Sequence, residues 1–153
     1  MFFRLAAALT VVGLVSGCTG GGGGPQPPRK RLEAYISKSF AVSGAADRAT
    51  LSDFLTGEAK NRLEAWTEEE FKKNFVDNKR KFHNLKIVRV KPVSDTETTV
   101  EYELTYFDQS GQFESKVSNR KLAEMTLDGA EWKIREVRNI QELVEYKDAL
   151  SLP

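Results

Sequence analysis

Cysteine, histidine and a surplus of charge of one sign are what this 153-residue sequence has least of. A single cysteine excludes a disulfide framework, and a single histidine leaves no usual ligand spacing for a transition metal. The 23 basic side chains are balanced by 22 acidic ones, so no net field would attract nucleic acid. Hydrophobic residues make up 40% of the chain, which suits one packed domain. We therefore predict a globular protein with no cofactor and no nucleic-acid partner.

Long hydrophobic runs are also missing, because the apolar run Leu5–Val15 is shorter than the roughly 20 residues that a membrane-spanning helix needs. The run follows the positive charge of Arg4 and has the proportions of a secretory signal sequence. It ends in Val15-Ser16-Gly17-Cys18, which contains the only cysteine of the chain. This ending resembles the lipobox of bacterial lipoproteins, in which an aliphatic residue and two small residues precede a cysteine that is acylated on its thiol.

The lipobox resemblance implies a cellular location for the protein. Residues 1–17 would be a cleaved signal peptide, and Cys18 would become the lipidated N-terminus that anchors the chain in a bacterial membrane. Because Thr19 and not an aspartate follows Cys18, the sorting rule of such lipoproteins implies the outer membrane, with the domain facing the periplasm. An ordinary signal peptide with a coincidental cysteine is the alternative.

A glycine- and proline-rich segment follows the cysteine. It contains Gly20–Gly24 and then Pro25, Pro27 and Pro28, which favour extended, irregular backbone. We predict that residues 18–30 are the lipidated cysteine and its tether, and that a single domain occupies residues 31–153.

The first half of that domain has helical periodicity. One apolar stripe begins at Leu32 and ends at Phe40, and a second helical stretch covers residues 47–66 with a bend near Thr56–Gly57. Thr67 and Glu70 have the spacing of a capping box, which predicts that a third helix begins there.

The second half alternates with a period of two. It predicts four sequential strands, separated by turns at Asp108–Gly111 and Asp128–Gly129. In the third strand, Asn119 and Lys121 interrupt the apolar alternation, which suggests a bend or bulge. Asn139 and Glu142 are spaced to cap a short C-terminal helix. The strands are expected over residues 85–93, 98–107, 112–127 and, last, around 132–137.

Helices gathered before a run of strands predict an α+β fold, with N-terminal helices packed on a curved four-stranded antiparallel sheet and a short C-terminal helix. Residues 51–63 (LSDFLTGEAKNRL) and residues 129–134 (GAEWKI) carry a resemblance to the NTF2-like (cystatin-like) cone. The resemblance extends over residues 31–147 and implies an apolar pocket between sheet and helices. The residues expected to line it are Tyr102, Leu104, Tyr106 and Trp132.

Some proteins of the NTF2-like class are isomerases or dehydratases, which need an acid or histidine in the pocket. The inward face of the second strand offers the phenols of Tyr102 and Tyr106 but no carboxylate. Asp47 and Asp53 fall on helical positions suited to capping or solvent, and His83 lies at a helix–strand junction. We therefore predict that the chain is not an enzyme and has no catalytic or metal-binding residues.

One basic patch stands out in the otherwise balanced sequence. It is formed by Lys79, Arg80, Lys81, Lys86 and Arg89. Such a patch can bind anionic headgroups or an acidic partner, or it can be a solvated helix end.

The sequence thus indicates a lipid-anchored envelope protein that serves as a non-enzymatic interaction or accessory module for another envelope protein. A carrier of an apolar small molecule or lipid in the cone pocket is the alternative, and an isomerase-like enzyme is a weaker one. Homodimerisation through the sheet stays open, although the outward Glu101 and Glu103 argue against a large apolar interface.

Overall fold

A computed structural model describes residues 24–147 of the chain. The predicted lipobox with Cys18, the predicted signal peptide and most of the predicted tether lie outside the described residues, as do residues 148–153. Four helices come first: α1 (Pro28–Phe40), α2 (Asp47–Ser52), α3 (Gly57–Ala65) and α4 (Glu68–Phe71), the last continuing into a π-helical turn over Lys72–Val76. Four strands follow: β1 (Arg80–Pro92), β2 (Glu97–Asp108), β3 (Ser115–Asp128) and β4 (Glu131–Tyr146).

The four strands form one antiparallel sheet in the order β1-β2-β3-β4. The central pair is regular, with an unbroken register from Glu97 opposite Thr126 to Asp108 opposite Ser115. Both edge strands carry extra residues, at His83 and Val88 in β1 and at Arg135 and Ile140 in β4. Such bulges bend a strand and increase its twist. The predicted α+β class with a four-stranded antiparallel sheet is confirmed.

The hydrophobic core lies between the helices and one face of the sheet, which we call the inner face. From the helices, Leu32, Leu51 and Phe71 are almost completely buried, and Val100 and Ile134 meet them from the sheet. The alternation predicted for β2 therefore places Val100, Tyr102, Leu104 and Tyr106 inward, whereas Thr99, Glu103 and Thr105 point to the opposite, outer face.

The helical stretch predicted over residues 47–66 is two helices, separated where the chain joins the sheet. Leu55 forms a parallel bridge with Ile134, and backbone hydrogen bonds of 2.8–2.9 Å link Phe54 and Thr56 to the same strand residue. Gly57 then starts α3 with a φ of 51°, in the left-handed region that favours glycine. The pairing with β4 therefore ends α2 before α3 begins, where the sequence predicted one bent helix.

Two local predictions have clear outcomes. The capping box is confirmed, because the Thr67 hydroxyl accepts from the Glu70 amide at 3.1 Å and the Thr67 amide donates to the Glu70 carboxylate at 2.8 Å. The short C-terminal helix is wrong, since residues 139–144 belong to β4 and pair with residues 117–121 of β3. The backbone hydrogen bonds of an available strand outweighed the local capping signal.

Two boundaries also differ from the prediction. Helix α1 begins at Pro28, inside the predicted tether, because proline is well suited to the first turn of a helix. Strand β1 begins at Arg80, five residues before the predicted start, through its pairing with the end of β2. None of the helices within residues 24–147 is long and apolar enough to cross a membrane.

Candidate functional site

A pocket of about 330 Å³ lies on the inner face of the sheet. Helix α1 lines it with Tyr35, Ile36 and Phe40, and the region of α4 and its π-helical turn lines it with Trp66 and Phe75. Side chains from all four strands also line it, as do three further polar residues of the helical region: Arg80, Tyr102, Leu104, Tyr106, Asn119, Lys121 and Val137, with Ser39, Asn74 and Asn78. We call this cavity the inner-face pocket.

Packed aromatic rings hold the walls of the inner-face pocket in place. The Trp66 and Phe75 rings lie 5.8 Å apart, and Phe75 stacks on the buried Phe71 at 5.0 Å. On the other side, Phe40 contacts Tyr106, with their ring centroids 6.0 Å apart. Ring pairs at these separations favour a defined packing, so the apolar walls are preformed.

A polar side chain enters this apolar surface at Asn119. Asn119 lies opposite Leu104 in the β2–β3 register and is only 3% exposed. Its Oδ1 atom is buried and has no hydrogen-bond partner among the described residues. Leaving such an atom unpaired costs roughly 1–3 kcal/mol, so its presence in a packed core needs a reason.

Two cationic side chains also line the inner-face pocket. Lys121 lies opposite Tyr102 and is half-buried. Burial lowers the pKa of Lys121, and the nearby positive charge of Arg80 lowers it further, whereas the negative charge of Glu142 raises it. The Arg80 guanidinium lies over the ring of Tyr106, 5.4 Å from its centroid. Within residues 24–147, neither Arg80 nor Lys121 forms an ion pair.

The tyrosines of the pocket remain protonated at physiological pH. Burial raises the pKa of Tyr35 to about 12 and also raises the pKa of Tyr102 and of Tyr106. These phenols are therefore hydrogen-bond donors and do not act as bases near pH 7.

The predicted interruption at Asn119 and Lys121 has a different cause from the one expected. Strand β3 keeps its register with β2 there, and the extra residue at this level, Ile140, belongs to β4. Asn119 and Lys121 simply take inward positions between Val117 and Ala123. The sequence indicates these inward positions, because Asn119 and Lys121 fall on the same alternating positions as the apolar residues of β3.

Three of the four predicted lining residues, Tyr102, Leu104 and Tyr106, line the inner-face pocket. Trp132 does not, and lies beside a separate recess of about 140 Å³ formed with Gly24–Gln26 and Arg31. Trp132 is outside the inner-face pocket because it lies near the β3–β4 turn, at the opposite end of the sheet from Tyr106.

The five residues of the predicted basic patch do not share one surface. Arg89 pairs with the buried Glu101 at 2.9 Å, and Lys86 pairs with Glu103 at 3.8 Å, both on the outer face. Arg80 lines the inner-face pocket, while Lys79 and Lys81 are exposed on either side of it in sequence.

None of the three candidate acid–base residues of the sequence lines the inner-face pocket. The Asp47 carboxylate accepts hydrogen bonds from the amides of Ser43 and Gly44, which lower its pKa. Asp53 is exposed at the end of α2, and His83 lies on the outer face beside Phe107. Residues 24–147 also contain no group of three or more side chains placed to ligate a metal ion.

No protein-family model matches the chain, and no curated protein matches it as a relative. Its function is therefore inferred from the residues and geometry of the inner-face pocket.

Proposed function

We propose that this chain is a lipid-anchored, non-enzymatic binding protein of the bacterial cell envelope that carries a small, largely apolar molecule in the inner-face pocket. The observation that carries the proposal is the pocket itself, at about 330 Å³. Ligand pockets have volumes of about 300–1,000 Å³, with apolar walls and a few polar groups that fix orientation. The aromatic and aliphatic side chains around Leu104 form the apolar part of such a lining, and Asn119, Lys121 and other polar side chains form the part that orients a ligand.

The lining residues favour binding over catalysis. Proton transfer of the isomerase kind needs a carboxylate or imidazole that reaches the substrate. Among the described residues, the pocket is lined by phenols, an arginine, a lysine and amides, without a carboxylate or histidine. The phenols have raised pKa values, which makes them poor bases at neutral pH.

The cone architecture and the anchor belong to the same proposal. Helices across one face of a four-stranded meander are what an NTF2-like cone requires, and the lipobox at Cys18 supplies the attachment. Gly24–Gln26, the described end of the tether, lie beside Trp132 near the β3–β4 turn. Arg80 and Tyr106 lie toward the other end of the sheet, so the attachment leaves the pocket accessible from the periplasm.

A protein partner is the second candidate function, and the last part of β4 supports it. Strand β4 is an edge of the sheet, and its Ile140, Leu143 and Tyr146 side chains are exposed. Exposed apolar side chains on an edge strand are a common basis for pairing with another chain. A module that both holds a ligand and contacts an envelope protein would combine the two hypotheses.

Native mass spectrometry of the full chain, extracted gently from membranes, tests the carrier function. We expect a mass increment that disappears on denaturation. Val137→Trp, which fills the pocket, should remove the increment, whereas Val93→Trp, at an exposed position on the β1–β2 turn, should keep it. A bare wild-type chain, or an increment unaffected by Val137→Trp, would contradict the proposal.

A further inference from the structure

We infer that the ligand of the inner-face pocket is an amphipathic monoanion of the carboxylate class, whose charged oxygens lie against Arg80 and Lys121. Its apolar body would contact Ile36, Leu104 and Phe75. This inference deepens the proposed function and rests on it.

The two faces of the sheet differ in the surroundings of their arginine and lysine side chains. On the outer face, Arg89 and Arg120 both pair with the buried Glu101, at 2.9 and 2.6 Å. Among the described residues, Arg80 and Lys121 of the inner face have no carboxylate within ion-pair distance. Arg80 is exposed, whereas Lys121 is half-buried. A half-buried cation such as Lys121 without a partner is costly, and an anionic ligand would offset that cost.

The charges around the inner-face pocket bear on which anion it would accept. Arg80 and Lys121 each carry one positive charge, and Glu142 lies on the same face, opposite Asn119 in the β3–β4 register. Glu142 is exposed and makes no ion pair with either cation within residues 24–147. Asp108 lies opposite Arg80 in the β1–β2 register, so the two cations have two acidic neighbours. Beside these carboxylates, a phosphate dianion would meet more repulsion than a carboxylate monoanion.

The side chain of Asn119 hydrogen-bonds with Tyr106 and still leaves one polar atom without a partner in the described part of the chain. Its Oδ1 is buried next to the pocket without a partner among residues 24–147. Rotation of the amide by half a turn exchanges the oxygen and the nitrogen with little change in shape, so Asn119 can present a donor or an acceptor to a ligand. Lys121 lies two residues from Asn119 on the same face of β3, so a headgroup at Lys121 would lie close to this amide.

Tryptophan fluorescence offers a specific readout, because the chain has two tryptophans and only Trp66 lines the inner-face pocket. The full chain with Trp132→Phe, reconstituted in phosphatidylcholine vesicles, would be titrated with octanoate, octan-1-ol and octyl phosphate, with protein-free vesicles as the blank. An eight-carbon chain suits the inner-face pocket, whose volume is at the small end of the range for ligand pockets. We expect octanoate to bind at least tenfold more tightly than octan-1-ol and more tightly than octyl phosphate.

Charge variants locate the headgroup. Arg80→Met and Lys121→Met should each weaken octanoate binding roughly tenfold, with little effect on octan-1-ol, because each removes one charge-assisted hydrogen bond. Lys86→Met and Lys116→Met remove outer-face cations of the same two strands and should change neither affinity.

The outcomes separate the inference from the function on which it rests. Equal affinities for octanoate and octan-1-ol would overturn the anionic headgroup and leave the carrier function standing. Tightest binding of octyl phosphate would overturn the assignment to a monoanion. Failure of all three probes to change Trp66 fluorescence would contradict both the inference and the carrier function.

Discussion

Lys121 lies opposite Tyr102 in the register of β3 and β2, and both side chains line the inner-face pocket. A lysine in that position gives up part of its hydration, and the lowered pKa reflects the cost. The position is therefore poor for stability and well placed for an anionic ligand.

Lys121→Met should have opposite effects on stability and on binding. Methionine keeps the length of the side chain and removes the desolvated charge, so we expect the free energy of unfolding at pH 7 to rise by about 1 kcal/mol. Octanoate affinity should fall in the same variant. Urea unfolding monitored by circular dichroism gives the first quantity, with Lys116→Met as the control at an outer-face position. A destabilised Lys121→Met variant would show that the lysine has a structural role.

The pair Gly57→Ala and Gly44→Ala tests the break between α2 and α3. Gly57 has a φ of 51°, and an added Cβ would lie 2.9 Å from the Cγ of Arg135. We expect Gly57→Ala to lower the free energy of unfolding by about 1–2 kcal/mol. At Gly44 an added Cβ meets nothing within 4 Å, so Gly44→Ala should have little effect. Equal effects in chemical denaturation would argue against the strand bridge at Leu55.

Removing the capping box should weaken the start of α4. Thr67→Ala loses the hydroxyl that accepts from the Glu70 amide, and we expect a loss of about 1 kcal/mol in unfolding free energy. Thr96→Ala, in the β1–β2 turn, is the matched control because its hydroxyl makes no hydrogen bond among the described residues. Since α4 and the π-helical turn carry Phe75 to the pocket, Thr67→Ala should also weaken octanoate binding.

The sequence features that were interpreted correctly are those with local causes. The alternation in β2 and the Thr67–Glu70 spacing each determine structure within a few residues, and both are present in the fold. Asn139 and Glu142 have equally good local spacing for a helix, but β3 offered a strand to pair with, and β4 extends through them. Long-range pairing of this kind is not visible in local periodicity.

The candidate site was predictable only in part for the same reason. The inward tyrosines of β2 follow from the alternation alone, whereas the contributions of Trp66, Phe75 and Arg80 depend on how the helices lie across the sheet. The contribution of Asn119 and Lys121 to the pocket could have been predicted, because polar residues at inward positions can indicate a pocket as well as a bulge.

The ion pairs of Glu101 predict a pH dependence of stability. Hydrogen bonds from Arg120 and then Arg89 hold the pKa of this carboxyl below its ordinary value of 4.5. The unfolded chain therefore takes up the proton at a higher pH than the folded chain does. The stabilisation is complete above about pH 4.5 and is lost as the pH falls through the folded pKa.

Glu101→Gln should accordingly be less stable than the wild type at pH 7, and the difference should shrink between pH 4.5 and pH 3. Glu103 pairs with Lys86 and is more exposed than Glu101. Glu103→Gln should therefore change the free energy of unfolding at pH 7 by less than Glu101→Gln does. Urea unfolding at several pH values measures both. A difference that stays constant down to pH 3 would contradict the assigned ion pairs.

The most direct test of the account is an isotope-edited NMR experiment on the full chain with carbon-13-labelled octanoate. We expect nuclear Overhauser effects from the octanoate chain to the methyl groups of Ile36, Leu104 and Val137, which line the inner-face pocket. Contacts confined to the exposed methyl groups of Val93 or Leu143, or no contacts at all, would contradict the claim that this pocket is the binding site.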